Sequence, residues 1–593
     1  MCGLIGYCGD KAAAPTIFEA LKRVEYRGYD SAGIATLSNG HLLVKKGVGK
    51  LDDANSQYGL DTLPGNIGIG HTRWATHGSV TQTNTHPHCD CSSEIAVIHN
   101  GIIDNYQELR QQLINKGHHF VSETDTEVIP HLIEEEMKTG CSLEAAVLAI
   151  APKIDGLYAF LAVSSRDPGK IVGTRKGSPL AIGINDHAYF AASDPLAFSG
   201  QANQLISLAD TEVAILTADK IEFLDSDGNK LVKETSELDT QWCDNHKQGY
   251  QFYMLKEIKE QPQTLEAAIA QDKDMFTEVA LDILRAGQVI ITACGTSRYA
   301  ALVGRYLFSK IGNKFCDVVI ASEFQYFADS VNKNTAVLAI SQSGETVDVT
   351  EGVKRARAAG AQVFSIVNRP HSLLSAPEMS HKVIYLNCGP EICVAATKSF
   401  LNQLAIFYLL SFSMVNAFDK AANDLKLINS DISKSIEWNE QQLQELSQKL
   451  KNKTDFYYIA RGINFAIASE AALKLKEISY IHAEGMPAGE LKHGTIALIE
   501  QGTPVVVICP NDYTYSETLS NAMEAKSRGA YIIAVSDIEN DIYDFWIKIP
   551  KVDELLYPIV SVVPLQLLAY HLAVSKGYDP DMPRNLAKSV TVK

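Results

Sequence analysis

Residues 289–307, VIITACGTSRYAALVGRYL, and 336–368, AVLAISQSGETVDVTEGVKRARAAGAQVFSIVN, decide the architecture of the C-terminal half. Each opens with an apolar, β-branched run, turns at polar and glycine residues, and continues with a helical period. Strand, turn and helix repeated in this way predict a parallel, doubly wound sheet whose strands are buried on both faces. The series then recurs. Gly295 after IITAC matches Gly462 after YIAR, 167 residues on; Thr335 of TAVLAIS matches Thr503 of TPVVVIC at 168, and Gly360 matches Gly529 at 169. Concordant offsets predict two α/β lobes of similar topology, expected over 263–421 and 453–580 and joined by an amphipathic helical stretch at 422–452.

The two copies differ in their loops. The first follows its second strand with SQSGET at 341–346, where the second has CPNDYT. Hydroxyls and backbone N–H groups at the C-terminal edge of a parallel strand and the N-terminus of a helix hold phosphate well. CGTS at 294–297 ends the preceding strand, so the two loops are expected to form a crevice, one per chain.

The chain has 593 residues, 46% hydrophobic and 21% charged, with a mean hydropathy of −0.04, which is the composition of a soluble globular multidomain protein. Its net charge of −17 argues against a nucleic-acid or anionic-membrane footprint. The richest apolar run, LAIFYLLSFSMVNAF at 404–418, is too short to span a bilayer and predicts a buried helix. No basic-then-apolar leader opens the chain, eleven scattered cysteines suggest reduced thiols, and a cytoplasmic location is the expectation.

Residues 1–238 carry glycine turns and short strand-like runs such as VGTRKGSPLAIGI (172–184) and HAYFAA (187–192), with helical patterns near 104–117 and 125–138. They predict a sheet-rich first domain, followed by a connector at 239–262 that packs on its neighbours. If Met1 is removed, Cys2 carries both a thiol and an α-amine, which places a nucleophile beside a base.

YRGYDSAG (26–33), HTRWATHG (71–78), HNGIIDN (99–105) and SETDTE (122–127) occur in order and together resemble the class II glutamine amidotransferases, which are built on an N-terminal cysteine. The resemblance implies an N-terminal-nucleophile fold of αββα layering. It also implies that Cys2 is the nucleophile, that Arg73, Thr76 and His77 grip the glutamine carboxylate and Asp125 its ammonium, and that Asn100 with the Gly101 N–H forms the oxyanion hole. Trp74 then resembles the residue that gates ammonia transit, with His86 near that path. Taken singly, Arg73 is more often an ion pair, Asp125 a helix cap and Asn100-Gly101 a turn; their joint presence carries the resemblance. HPHCDC at 86–91 offers zinc-binding types, but no second ligand pair at a suitable spacing is apparent, so no metal is expected.

The second half resembles SIS (sugar isomerase) domains, present twice, and DMPRNLAKSVTVK at 581–593 extends the resemblance to the whole chain. It implies a transferase that moves the amide nitrogen of L-glutamine to fructose 6-phosphate and isomerises the product to glucosamine 6-phosphate, with no cofactor. Ser297, Ser341, Gln342, Ser343 and Thr346 would hold the phosphate, and Thr296 with the backbone near Val394 and Ala587 the sugar. Lys588 would form a Schiff base, Glu477 would move the proton between C1 and C2 with Lys474 beside it, and His493 would reach a neighbouring subunit's site in a homodimer. On a helix, Lys474 falls at the margin of a stripe of Ile467, Ala471, Leu475 and Ile478, and can share a site with Glu477 three residues on. Departures from the family wording, GELKHGTIAL at 489–498 and Cys393 in PEICVAAT at 390–397, touch none of these atoms. A purine-pathway phosphoribosyl amidotransferase would need an acidic phosphoribosyl-diphosphate-binding run after a strand, and none is present. A non-catalytic sugar-phosphate sensor would have no use for the first domain.

Overall fold

The computed structural model describes residues 2–238 and 247–590, which divide into two compact units: 2–238 with 587–590, and 247–586. Met1, residues 239–246 of the expected connector and 591–593 of the tail lie outside the described residues.

The first unit contains an eight-stranded and a seven-stranded antiparallel sheet. Alternation along the strands decides its layering. In Gly3–Gly9, Leu4 and Cys8 point into the core between the sheets, while Ile5 and Tyr7 point to the helix Ala13–Val24. In Ile95–Ile103, Ala96 and Ile98 face the intersheet core, while Ile95, Val97 and Ile103 pack under the helices Tyr106–Asn115, Val128–Met137 and Leu143–Ile150. Helix, sheet, sheet, helix is the αββα order implied by the resemblance, and two of these helices match the patterns near 104–117 and 125–138.

The second unit contains two five-stranded, wholly parallel sheets of the same strand order. The first runs Asp317–Ile320, Gln288–Ala293, Thr335–Ser341, Gln362–Val367, Lys382–Tyr385; the second runs His482–Pro487, Asp455–Ala460, Pro504–Ile508, Tyr531–Ser536, Phe545–Lys548. Strands paired by the repeat offsets occupy equivalent places. In this order the topological switch point lies between the first and third strands of each lobe, where ligands bind in such sheets. The expected connector at 422–452 is the helix Phe418–Leu450, which buries Leu425, Ile432, Leu443, Leu446 and Leu450.

Three expectations shift. Residues 253–262 of the connector are part of the second unit as the helices Tyr253–Lys259 and Gln261–Ile269, with Met254 and Ile258 in its core. Residues 581–586 of the tail stay with that unit, and the Asp581 carboxylate accepts from the Tyr253 and Met254 N–H groups at 2.8 Å each. The run at 404–418 is indeed a buried helix, Lys398–Ser413, but Tyr557–Ser575 is longer and apolar on all sides. It is the one helix among the described residues long and apolar enough to cross a membrane, and 89% of it is buried inside the protein. The ten described cysteines are free thiols.

Candidate active site

The first cluster is assembled by strand register. Gly3 pairs with Thr72 across antiparallel strands, so Cys2 falls opposite the segment that leaves Ile67–Arg73. The Trp74 N–H donates to the Cys2 Sγ at 3.2 Å. Burial pushes the Cys2 thiol up, while the Trp74 N–H and the Arg73 charge pull it down. Asn100 shares the intersheet face with Ala96 and Ile98, and its Nδ2 donates to the Cys2 carbonyl at 2.9 Å. Gly101 lies within the strand and not in a turn, at φ +128°; a Cβ there would sit 1.9 Å from the Leu157 carbonyl oxygen, so only glycine fits.

Arg73 is buried, and its guanidinium donates to the carbonyls of His77 at 2.5 Å, Gly78 at 3.1 Å and Ser79 at 3.3 Å. These bonds anchor the loop that carries half-buried Trp74 and His77 and exposed Thr76. The carboxylate of Asp125 does not cap a helix. It accepts from the Ile103 N–H at 2.9 Å, two residues beyond Gly101. The thiol and the cation therefore hang from neighbouring ends of two paired strands, and the anion is held against the end of Ile95–Ile103 in the other sheet.

Supporting residues that sequence reasoning did not single out surround them. Arg27 pairs with Asp194 at 2.7 Å, both buried, and its Nε donates to the Cys2 carbonyl at 3.4 Å. Glu123 accepts from Ser79 and Asn84 and so ties the 74–79 loop to the Asp125 loop. His71 Nε2 lies 3.0 Å from both the His99 carbonyl and Asn100 Oδ1, two acceptors, so this nitrogen carries the proton and orients the Asn100 amide. His71 stacks on His86, which lies edge-on to His88, and the His99 N–H donates to His86 Nδ1. Burial pushes His71 down to about 3 and lowers His86, His88 and His99 too, so the array is neutral near pH 7. The expectation that HPHCDC lacks a second ligand pair is corrected, because chain folding brings His118, His131 and Glu134 to Cys91.

The second cluster lies at the switch point of the first sheet. Ser341 ends its strand, and its hydroxyl accepts from the Gly344 N–H at 3.1 Å and lies 2.8 Å from Thr346 Oγ1 and 3.4 Å from Ser343 Oγ. Gly344 takes φ +67°, and the loop turns into the helix Val347–Ala358. Gln342 is half-buried, and its carbonyl accepts from the Asn368 N–H. Thr296 and Ser297 open the helix Gly295–Lys310 on the adjacent strand, and Gln403 donates to the Ser297 hydroxyl at 3.0 Å.

The helix Asn464–Ser479 completes this cluster. Lys474, 1% exposed, donates to Glu477 at 2.5 Å and to Thr296 Oγ1 at 2.9 Å, and lies 3.4 Å from Glu470. Thr296 in turn donates to Glu470 at 3.1 Å. Glu470 is fully buried, with one oxygen unbonded, and burial pushes it up to about 8. Sequence reasoning missed it, although its place four residues before Lys474 was the available signal. Lys474, flanked by two acids, is raised and stays a cation. The Val394 N–H is taken by the Asp581 carbonyl at 3.1 Å and so is committed within the protein. His493 is exposed at the end of the turn Ala488–His493, and Lys588 and Ala587 lie in the segment grouped with the first unit.

Comparisons with known proteins agree with this division. A glutamine amidotransferase domain matches residues 71–199, and SIS domains match 282–412 and 449–576. A Thermococcus kodakarensis protein named glutamine–fructose-6-phosphate aminotransferase [isomerizing] is 46% identical over 605 residues, covering all of both chains. A Gloeobacter violaceus protein of the same name is 42% identical over 619 residues, again covering all of both. The solved C-terminal domain of glucosamine-fructose-6-phosphate aminotransferase from Francisella tularensis is 35% identical with a TM-score of 0.53, covering 57% of this chain and all of that one. An N-terminal cysteine cluster, a phosphate-type loop cluster and full-length identity of this order lead to one conclusion: the chain belongs to the glutamine–fructose-6-phosphate aminotransferase (isomerizing) family.

Proposed function

We propose that this chain transfers the amide nitrogen of L-glutamine to D-fructose 6-phosphate and isomerises the product, giving D-glucosamine 6-phosphate and L-glutamate. The observation that carries the reading is that Cys2, Arg73, Asn100 and Asp125 converge in one unit while Ser341, Thr346, Thr296 and Lys474 converge in the other. Cys2 attacks the glutamine carboxamide, with the oxyanion received by the Asn100 side chain and the Gly101 N–H, and ammonia leaves past Trp74. Arg73, with Thr76 and His77, binds the α-carboxylate and Asp125 the α-ammonium. Removal of Met1 frees the α-amine to act as the base.

In the second unit Ser297, Ser341, Gln342, Ser343 and Thr346 hold the phosphate, and Thr296 meets the sugar. Lys588 condenses with the C2 carbonyl, and Glu477, oriented by Lys474, moves a proton between C1 and C2. A homodimer places His493 in the partner's site to open the ring, and the enzyme works in the cytoplasm. The ammonia travels by a closed route, because in water near pH 7 it would protonate and lose its nucleophilicity.

The test is a coupled assay for glutamate release and glucosamine 6-phosphate formation. Cys2→Ala abolishes glutamate release and keeps sugar-phosphate isomerisation; surviving glutaminase activity rejects the nucleophile. Lys588→Ala removes the borohydride-trapped ketose adduct, and an adduct that persists rejects the Schiff base. Formation of labelled product from added ¹⁵N-ammonia at low concentration in the presence of glutamine rejects the closed route.

A further inference from the structure

We propose that the first unit holds a structural zinc ion bound by Cys91, His118, His131 and Glu134, outside the glutamine site. Four facing donor atoms converge there: His118 Nδ1 and His131 Nδ1 are 3.2 Å apart, and Cys91 Sγ is 3.6 Å from each. One Glu134 carboxylate oxygen lies 3.0 Å from His118 Nδ1 and 3.3 Å from His131 Nδ1, and all four atoms fall within 4.8 Å of one another. A tetrahedral zinc with Zn–N about 2.0–2.1 Å and Zn–S about 2.3 Å spaces its ligand atoms by roughly 3.3–3.6 Å; the two nitrogens and the sulfur, 3.2 and 3.6 Å from one another, come near that spacing, and the carboxylate oxygen sits somewhat closer to the nitrogens, at 3.0 and 3.3 Å. A purely hydrogen-bonded cluster explains them less well, because two imidazole nitrogens and a thiol would each face one carboxylate oxygen and one another.

The outer atoms are placed as a metal site requires. The far nitrogen of His118 meets Glu135 at 2.7 Å, so that ring is oriented by a carboxylate behind it, while the far nitrogen of His131 faces Glu127 at 3.7 Å, beyond hydrogen-bond distance. The His119 N–H donates to Cys91 Sγ at 3.4 Å, as backbone amides do toward a thiolate. Both histidines and Glu134 are buried, whereas Cys91 is exposed and gives the ion an entry path. Thiolate, two imidazoles and a carboxylate in a tetrahedron suit zinc, and four protein ligands leave no open position for catalysis.

The ligands come from three segments: Cys91 from the turn before Ile95–Ile103, His118 from the turn after Tyr106–Asn115, and His131 and Glu134 from Val128–Met137. Glu127, behind His131, also accepts from the N–H groups of Val121 and Ser122 at 2.8 and 2.7 Å. The ion therefore clamps both ends of the loop that presents Asp125. The site is structural, and its loss is felt in glutamine binding before it is felt in sugar chemistry.

The full chain, made without a polyhistidine tag, loaded with zinc and dialysed against metal-free buffer, is expected to retain about one zinc per chain by elemental analysis. Cobalt in its place should give intense tetrahedral d–d bands and a thiolate-to-metal charge-transfer band. Cys91→Ser should lose that band, retain less than about a tenth of the metal, and raise KM for glutamine several-fold with isomerisation of the sugar phosphate unchanged. A chelator should lower the melting temperature of the parent chain but not of the variant. His118→Gln provides a second variant, with circular dichroism checking that each remains folded. A parent chain that retains no metal, a cobalt spectrum without the sulfur band, or variants that retain as much metal as the parent overturns the proposal; the first of these outcomes means a hydrogen-bonded cluster only.

Discussion

Replacing Glu470 by glutamine should stabilise this protein, and by an amount that grows with pH. Glu470 is fully buried and bonded to Thr296, and its carboxyl is pushed from an ordinary 4.5 up to about 8 by burial that Lys474 only partly offsets. The sign follows from proton binding. The folded state holds the proton more tightly than the unfolded state, so stability is lost as pH rises from about 4.5 toward about 8. At about 1.36 kcal/mol per pH unit, the parent chain gives up on the order of 3 kcal/mol by pH 7 and under about 1 kcal/mol by pH 5. Glutamine keeps the shape of the protonated acid and has nothing to lose in that window. The assay is urea unfolding of the full chain followed by tryptophan fluorescence, with Trp438 and Trp546 reporting on the second unit. E470Q should exceed the parent by about 2 kcal/mol more at pH 7 than at pH 5. A difference that is flat across this range, or a variant less stable at both, refutes the account of a strained buried acid. The same variant should lose sugar-phosphate turnover, since stability gained at such a position is commonly taken from function.

Other perturbations test other parts of the structure. Gly101→Ala forces a Cβ against the Leu157 carbonyl at a left-handed φ; it should cost roughly 3 kcal/mol or more in thermal unfolding and lower glutaminase kcat by about 100-fold or more. The neutral His71, His86, His88 and His99 array should make the first unit acid-labile: His71, held down at about 3 by burial, protonates only on unfolding between pH 6.5 and 4 and withdraws about 1.4 kcal/mol per pH unit, the other three act in the same direction, and an acid melt that is flat over this range refutes it. Arg27→Met leaves the Asp194 carboxylate buried without its guanidinium and should cost about 3–5 kcal/mol, whereas unfolding unchanged from the parent would make the pair ornamental. Ser341→Ala removes the acceptor of the Gly344 N–H and should raise KM for the sugar phosphate about tenfold with glutaminase activity intact.

The duplicated lobes were readable in the sequence because a central parallel strand is a continuous apolar run that ends at a polar turn, and Thr335–Ser341 and Pro504–Ile508 show both features. The layering of the first unit was not readable from periodicity, since its strands carry glycines and histidines at inward positions; the family resemblance supplied it. Cys2, Arg73 and Asn100 could be named, but Cys2 meets Arg73 through the register of Gly3 with Thr72, and Asn100 through the facing of two sheets, which no local pattern encodes. Glu470 was hidden because an acid on an apolar helix face looks like an interruption until its partner on another helix is placed. The ligands around Cys91 escaped notice because His118, His131 and Glu134 follow at 27, 40 and 43 residues, far from any short metal motif. Tyr557–Ser575 was passed over because Pro564, Gln566 and His571 break its apolar run, although all three are buried within it.

The helix that carries Glu470, Lys474 and Glu477 is the counterpart, in the second lobe, of the helix that opens with Thr296 and Ser297. One lobe sets hydroxyls at the start of this helix, and the other sets two acids and a lysine along its own. The bond from Lys474 to Thr296 therefore joins unlike faces of two like helices, and a chain given the same residues on both would lose it.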